Sequence, residues 1–326
     1  MRRFIIKLLI FLAPIFVVLA CAEIRLGKVK NSYNTKLALL KNIPGCEALF
    51  LGSSHALRAF NPEFFSHQSF NMGNTSQSLY HDSRILMRFA PILPKLKVVV
   101  FPISYFSLEY NLETALESWR TFFYRQYYGI PANNWAMRCD IRNYSKVALY
   151  GQNAISNQIF YFIDALLPIS AKGLLRADST RDLPLPNLSA NGWMPCEGAW
   201  LPIDKTGKYF VEQHHNVMRE KFRQSNIRYL RKSIEFSLQR GITPMLVTLP
   251  VSYTYSNHID KSKYLWMQER IRGLCTEYHI RYLNYFTDRR FGPEDFSDPD
   301  HLNSKGSEKL SRILNKEISP VITDGK

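Results

Sequence analysis

Cysteine is scarce in this chain, with five among 326 residues. Cys21 lies in an apolar N-terminal run, and the other four are scattered without the paired spacing of a metal-binding motif. The sequence therefore predicts neither a metal site nor a cofactor. Scattered cysteines still allow three disulfide pairings in an oxidising compartment, although Cys46 and Cys275 can equally be buried thiols.

Acidic residues are also few. Asp and Glu number 27 against 42 Lys and Arg, which gives a net charge of +15 and a pI near 9.6. Such a surface attracts anionic partners such as phospholipid head groups, teichoic acids or acidic polysaccharides. The basic residues are spread along the chain and do not alternate with aromatic residues in a block suited to base stacking, so no nucleic-acid partner is expected.

Long apolar runs are missing except at the N-terminus. Arg2, Arg3 and Lys7 precede or interrupt an apolar segment that extends from Phe4 to Ala22. As a helix this segment would span about 28 Å, close to a hydrocarbon core of roughly 30 Å. Basic residues favour the cytoplasmic side, so residues 1–24 are predicted to be a signal anchor with the remainder extracytoplasmic. Cleavage after Ala20-Cys21-Ala22 and lipidation of Cys21 remain alternatives.

The rest of the chain alternates apolar strands with helical segments, which predicts a three-layer α/β/α fold with a mainly parallel five-stranded sheet. This domain is placed at 42–326. A long helix is expected from about Asn216 to Arg240, and between 105 and 213 the alternation stops, which indicates a cap insertion over the sheet. The five strands are expected at Cys46–Leu51, Ser69–Met72, Lys97–Ile103, Thr243–Pro250 and Ile280–Phe286.

A small, hydroxyl-rich turn, Gly52-Ser53-Ser54, follows the first strand. In an open parallel sheet the carboxyl ends of the strands border the crevice where ligands bind. Gly52 allows a sharp turn that leaves the next hydroxyl exposed beside free N–H groups. Ser54 is therefore a candidate nucleophile, although the same tripeptide also fits an ordinary loop or a helix cap.

A histidine and a carboxylate suited to activating this serine occur near the other end of the chain. Asp298 and His301 are three residues apart with Pro299 between them, a spacing that brings a carboxylate to one imidazole nitrogen in a tight turn. Serine needs a histidine base, and the histidine needs an acid to hold its tautomer. Ser54, Asp298 and His301 are thus the predicted catalytic triad, with Asp300 and Asp295 as lesser candidates for the acid.

These blocks resemble the SGNH (GDSL-like) hydrolase superfamily. Gly52-Ser53-Ser54, Asn71-Met72-Gly73 and Asp298-Pro299-Asp300-His301 are similar to its first, second and last blocks. Two departures stand out: Ser53 replaces the usual aspartate, and the third block, Gly-x-Asn-Asp, is absent at 101–105. The resemblance implies a flavodoxin-like sheet order and an oxyanion hole made by the N–H groups of Ser54 and Gly73, with Asn74 or Ser104 helping.

Three further residues are predicted to contact substrate. His55 follows the nucleophile, Ser104 follows the third strand, and Tyr253 lies in the loop after the fourth strand. The remaining histidines, including His214, are assigned to surface or satisfied core positions because no ligand-type spacing surrounds them. In the cap, the two tryptophans Trp193 and Trp200 either stack on sugar faces or pack a small core.

The resemblance is closest to the membrane-anchored branch that acts on cell-envelope polymers, such as the D-alanyl transfer protein of teichoic-acid modification and the alginate O-acetylation proteins. It implies an extracytoplasmic serine esterase or O-acyltransferase acting on acyl groups of an envelope polysaccharide or teichoic-acid-like polymer. A membrane-bound O-acyltransferase is the expected partner. The missing asparagine block keeps a second reading open, a non-catalytic protein of the same fold that binds an anionic envelope polymer.

Overall fold

The computed structural model describes residues 1–153, 187–199 and 203–324. Much of the second half of the expected cap, and Trp200 with it, lies outside the described residues. The chain divides into two compact units. One comprises Met1–Thr35 with Arg120–Leu185, and the other comprises Lys36–Trp119 with Pro186–Lys326.

The first unit begins with helix α1 (Arg2–Gly27), whose most apolar 18-residue window has a mean hydropathy of 2.8 and no buried residues. By length and composition α1 is able to cross a membrane. Glu23 near its end accepts the N–H groups of Lys146 at 2.6 Å and Val147 at 3.1 Å. The aromatic ring of Tyr33 packs edge-on against Tyr124, with ring centroids 4.9 Å apart. Helix α2 (Ser32–Lys41) begins in this unit, and the unit's described residues also form α5 (Arg120–Phe123), a π-helical turn (Tyr124–Tyr128), α6 (Trp135–Arg138) and α7 (Lys146–Asn153).

The second unit contains the predicted five-stranded parallel sheet. Its spatial order is β2-β1-β3-β4-β5, and every neighbouring pair is parallel. The prediction of fold class is confirmed, with each strand shorter than the apolar run that indicated it. The strands are β1 (Ala48–Phe50), β2 (Ser69–Asn71), β3 (Val98–Pro102), β4 (Thr243–Thr248) and β5 (Arg281–Asn284).

Helices cover both faces of this sheet. Helices α3 (Ser54–Ala59) and α12 (Ser304–Asp324) pack against each other, and Leu310, Leu314 and Ile318 of α12 share a buried cluster with strand residues of β1, β3 and β4. On the other face, α4 (Leu79–Phe89) packs on α9 (Arg223–Gln239), and α9 contacts β4. Burial of each large aliphatic side chain contributes about 1.5–3 kcal/mol.

The connection before α9 differs from the expected single helix. Helix α8 (Ile203–Val217) ends before Met218, a 3₁₀ turn covers Glu220–Phe222, and only then does α9 begin. The break falls where the Arg219 N–H donates to the carbonyl of Glu109 at 2.9 Å, a partner outside any helix ladder. A tertiary hydrogen bond therefore ends the helical repeat that the sequence periodicity continued.

The chain ends with α10 (Tyr253–Ser256), α11 (Lys261–Tyr278), a two-stranded hairpin and α12. The hairpin pairs β6 (Phe296–Asp298) with β7 (His301–Leu302) in antiparallel fashion. The cysteines, all within the described ranges, are free thiols, two of them buried as expected for Cys46 and Cys275.

Candidate active site

The sheet order creates a crevice at one point on its carboxyl edge. β1 lies between β2 and β3, so the chain leaves β1 toward one side of the sheet and leaves β3 toward the other. In open α/β sheets ligands bind at such a switch point, outside the carboxyl ends of the strands. Ser54 follows β1 and Ser104 follows β3, so both hydroxyls stand at this edge.

The turn after β1 has a tightly constrained backbone. Gly52 has φ +110°, and a Cβ placed there would lie 2.1 Å from Cγ of Pro102 at the end of β3. Its N–H donates to Oδ1 of the buried Asp82 at 2.8 Å. Ser53 caps α3, its hydroxyl accepting the His55 N–H at 3.4 Å, and Ser54 is the first residue of that helix. The turn is therefore held from β3, from α4 and by its own cap.

The structure brings the three predicted triad residues together. Nε2 of His301 lies 2.9 Å from Oγ of Ser54. Nδ1 of the same ring lies 2.9 Å and 3.0 Å from the two carboxylate oxygens of Asp298. Serine, imidazole and carboxylate thus form a continuous chain of hydrogen bonds between residues 247 positions apart in sequence.

The Asp298 carboxylate is fully buried and held from several directions. Its Oδ1 accepts the N–H groups of Asp300 at 3.1 Å and His301 at 2.9 Å, and Arg58 of α3 lies 3.5 Å from Oδ2. The hairpin turn is also fixed from the loop after β4, because the Ser252 N–H donates to the Pro299 carbonyl at 2.9 Å. These contacts fix the position of the Asp298 carboxylate.

A second set of polar side chains surrounds Asp300. Nε2 of His55 lies 3.0 Å from Asp300 Oδ2, and Nδ1 of His55 lies 3.0 Å from the Ser104 hydroxyl. Nε2 of His214 lies 3.3 Å from the same oxygen, with its Nδ1 2.6 Å from the hydroxyl of Tyr255. Two of the predicted substrate-contact residues, His55 and Ser104, are therefore buried beside the triad and bonded to each other.

Burial and charge act in opposite directions on the ionisable groups here. Burial lowers the pKa of His301, but the charges of Asp298 and Asp300 outweigh it and raise that pKa to about 9. Burial tends to raise the pKa of Asp300, yet His301 and His55 hold it well below its usual range. Burial dominates for His214 and lowers its pKa to about 3, so its ring is neutral at ordinary pH.

The predicted oxyanion donors differ in whether their N–H groups already have hydrogen-bond partners. The Gly73 N–H already donates to Oδ1 of Asn71 at 2.9 Å, so it is not open to substrate as expected. The side chain of Asn74 is 1% exposed, and within the described ranges neither of its amide atoms has a hydrogen-bond partner. Its backbone N–H donates to the Gly52 carbonyl at 3.0 Å, which ties it to the nucleophile turn.

Tyr253 does not occupy the predicted position. Its side chain is 55% exposed, and within the parts of the chain that the structure describes it has no hydrogen bond or ring contact to the triad. Ser252 caps the short helix α10 through the Tyr255 N–H at 3.3 Å, and this helix carries Tyr255, not Tyr253, into the site. A contact between Tyr253 and substrate therefore stays a prediction, whereas Tyr255 of the same helix is bonded to His214.

His214 was also misassigned, because it lies in the site. Its sequence neighbourhood gives no catalytic signal, since the residues that its ring contacts come from four different segments of the chain.

Trp193 packs as a core residue. Its indole N–H donates to the Arg58 carbonyl at 2.8 Å, and the side chain is 8% exposed. Asp82, whose pKa is raised to about 7 by burial, was missed entirely.

In the described chain, two sets of three side chains have possible metal-ligating atoms within 4.8 Å of one another. The first set is His55, His214 and Asp300, and the second is Asp298, Asp300 and His301. Such spacing is compatible with a metal ion. Both rings of the first set have one nitrogen bonded to a hydroxyl and the other facing Asp300, so each ring is fully occupied without an ion. We assign both sets to the hydrogen-bond network of the site.

The fold and the site together define a doubly wound α/β protein with a Ser-His-Asp arrangement at its switch point. A protein-family model matches residues 208–323, which include Asp298 and His301 and leave out Ser54. No curated protein matches the chain.

Several solved structures are similar to the chain, among them two from Bacteroides species. One is a protein provisionally named an acylhydrolase from Bacteroides fragilis NCTC 9343, with 11% identity, coverage of 85% of this chain and 88% of that chain, and a TM-score of 0.40. The other is a GDSL-like lipase from Bacteroides thetaiotaomicron VPI-5482, with 10% identity, coverage of 87% and 91%, and a TM-score of 0.40. These values are too low for residue roles to be transferred from either protein.

Proposed function

We propose that this protein is a serine esterase or O-acyltransferase that works through an acyl-serine intermediate. One observation carries the proposal: Ser54, His301 and Asp298 are joined by hydrogen bonds of 2.9–3.0 Å at the carboxyl edge of the sheet. Ser54 attacks the acyl carbonyl while His301 takes its proton, and Asp298 holds the imidazole in the required tautomer. His301 then returns the proton to the leaving alcohol, and water or a sugar hydroxyl resolves the acyl-serine.

The developing oxyanion needs hydrogen-bond donors. Ser54 begins α3, and N–H groups in the first turn of a helix have no partner within the helix. The amide of Asn74 is the best further candidate because it is buried, unpartnered among the described residues, and tied to the nucleophile turn. Gly73 would contribute only after its N–H leaves Asn71.

Replacing Asn74 by alanine tests this assignment. The reaction rate should fall by about 10²–10³-fold if its amide stabilises the oxyanion. Stability should change little, because the amide has no partner in the described chain to lose. A full-strength reaction in Asn74→Ala would remove it from the oxyanion hole.

Labelling with a fluorophosphonate, followed by peptide mapping, tests the nucleophile itself. Wild-type protein should carry the adduct on Ser54, Ser54→Ala should carry none there, and the neighbouring variant Ser53→Ala should remain reactive. Failure of folded wild-type protein to form the Ser54 adduct would contradict an acyl-serine mechanism. It would favour a binding protein of the same fold, the alternative that fits the missing asparagine block.

The proposed setting is the outer face of the membrane, with α1 as a single-pass anchor preceded by basic residues. The net charge of +15 favours an anionic envelope polysaccharide or a teichoic-acid-like polymer as substrate. A membrane-bound O-acyltransferase is proposed as partner from the family resemblance alone. Acyl content of purified surface polymer distinguishes the two reactions. Deleting the gene should raise that content if the protein is an esterase and lower it if it is a transferase.

A further inference from the structure

Asp300 stands next to the triad and is not needed for the mechanism above. Its side chain is fully buried, yet it faces three imidazoles: His301 Nδ1 is 2.9 Å from Oδ1, while His55 and His214 approach Oδ2. His301 Nδ1 also lies 2.9 Å from Asp298 Oδ1, where it forms a hydrogen bond, whereas Asp300 Oδ1 meets the ring as an ion-pair contact and has no hydrogen-bond partner among the described residues. The catalytic ring therefore has two carboxylates on one nitrogen, where a triad requires one.

The hydrogen bonds around Asp300 fix the tautomers of the other two rings. In a neutral His55 ring that donates through Nε2 to Asp300, Nδ1 is the acceptor, and the Ser104 hydroxyl lies 3.0 Å away, placed to donate to it. The Tyr255 hydroxyl does the same for His214 at 2.6 Å. In this tautomer each ring donates one N–H hydrogen bond to Asp300. They stabilise its negative charge without cancelling it, so that charge still acts on His301.

We propose that Asp300 is a positioning residue of this active site: with Asp298 it holds the catalytic His301, and it ties His55 and His214 to the same network. This inference rests on the proposed function, since it assumes that His301 acts on Ser54. The hydroxyls of Ser104 and Tyr255 support the positioning from β3 and α10.

The charged and titratable groups that face His301 come from three elements. Asp298 and Asp300 lie on the β6–β7 hairpin. From α3 come His55, whose ring centroid is 4.6 Å from that of His301, and Arg58, which reaches Asp298. His214 of α8 faces Asp300. Two negative charges on Nδ1 favour the imidazolium, which agrees with the pKa of about 9 for His301.

The consequence is measurable because only neutral His301 can accept the Ser54 proton. The rate of fluorophosphonate labelling at Ser54 should therefore rise with pH through the pKa of His301. In Asp300→Asn one negative charge is lost, so the midpoint of this profile should move to lower pH by about one pH unit or more. Glu294→Gln is the matched control, since it removes an exposed carboxylate near the same hairpin and should leave the midpoint in place.

An unchanged midpoint in folded Asp300→Asn would overturn the proposal, and so would an equal shift in Glu294→Gln. Should Asp300→Asn fail to fold, nitrogen-15 NMR of the histidines in wild-type protein decides instead. His55 and His214 are expected as neutral rings protonated on Nε2, and protonation on Nδ1 in both would refute the role of Asp300. Absence of any Ser54 adduct would refute the proposed function and not the role of Asp300. The NMR measurement of the histidine tautomers does not depend on catalytic activity, so the two failures can be distinguished.

Discussion

Gly52→Ala is the sharpest test of how the fold builds the nucleophile turn. Gly52 has φ +110°, a region that residues with a Cβ rarely adopt, which costs about 1–3 kcal/mol. The new methyl would also lie 2.1 Å from Pro102 Cγ and 3.0 Å from Ala56 Cβ, and overpacking of this kind costs about 1–3 kcal/mol more. The free energy of unfolding should therefore fall by about 2–6 kcal/mol.

Urea unfolding of the full-length chain in detergent, followed by tryptophan fluorescence, measures this loss. Labelling of Ser54 should fall as well, since relieving the clash displaces the turn from β3. Gly273→Ala is the matched control, because Gly273 lies in helix α11 with nothing within 4 Å of its added Cβ. That variant should be stabilised by about 0.5–1 kcal/mol. Equal stability and equal labelling in Gly52→Ala and wild type would refute the argument for a constrained turn.

Two further predictions concern buried carboxylates. Asp82 has a folded-state pKa raised to about 7 by burial, so ionisation costs more in the folded protein and stability is lost as pH rises from about 4 through 7. Asp82→Asn should remove this loss, and urea titrations at pH 5 and pH 8 that show the same pH dependence in both proteins would contradict it. Glu109 is buried and forms ion pairs with Arg223 and, at 3.2 Å, with Lys263. Glu109→Gln should therefore lower the free energy of unfolding by about 3–5 kcal/mol. A decrease below about 1 kcal/mol in the same urea titration would show that these ion pairs contribute little.

Much of the site could be predicted because its signals are local. Asp298 and His301 are three residues apart, so the turn alone brings the carboxylate to the ring. Ser54 follows an apolar run and a glycine, and a strand that ends in such a turn exposes the next hydroxyl. Strands β1, β3 and β4 were recognisable for the same reason, since each is a short apolar run that is almost wholly buried, whereas the edge strand β5 is exposed at both ends.

The parts that were mispredicted depend on distant residues or on helix phase. His214 reaches Asp300 only because α8 ends beside the crevice, and nothing in its own neighbourhood indicates this. Tyr253 and Tyr255 are equally plausible in sequence, but on a one-turn helix two positions differ by about 200° in direction, so one faces solvent and the other faces His214. The Gly73 N–H was expected to be open, and the side chain of Asn71 two residues earlier occupies it.

The amino-acid sequence alone determined the α/β class and the apolar N-terminal helix, and it indicated the serine, histidine and aspartate that the structure brings together, because periodicity and short spacings are written into neighbouring residues. Only the tertiary structure decided that Asp300 faces three histidines, that Asp82 supports the nucleophile turn and that Tyr255 replaces Tyr253. Apart from the adjacent pair Asp300 and His301, these contacts join residues between 30 and 245 positions apart in sequence. A chain brings such segments together only by packing its helices on the sheet.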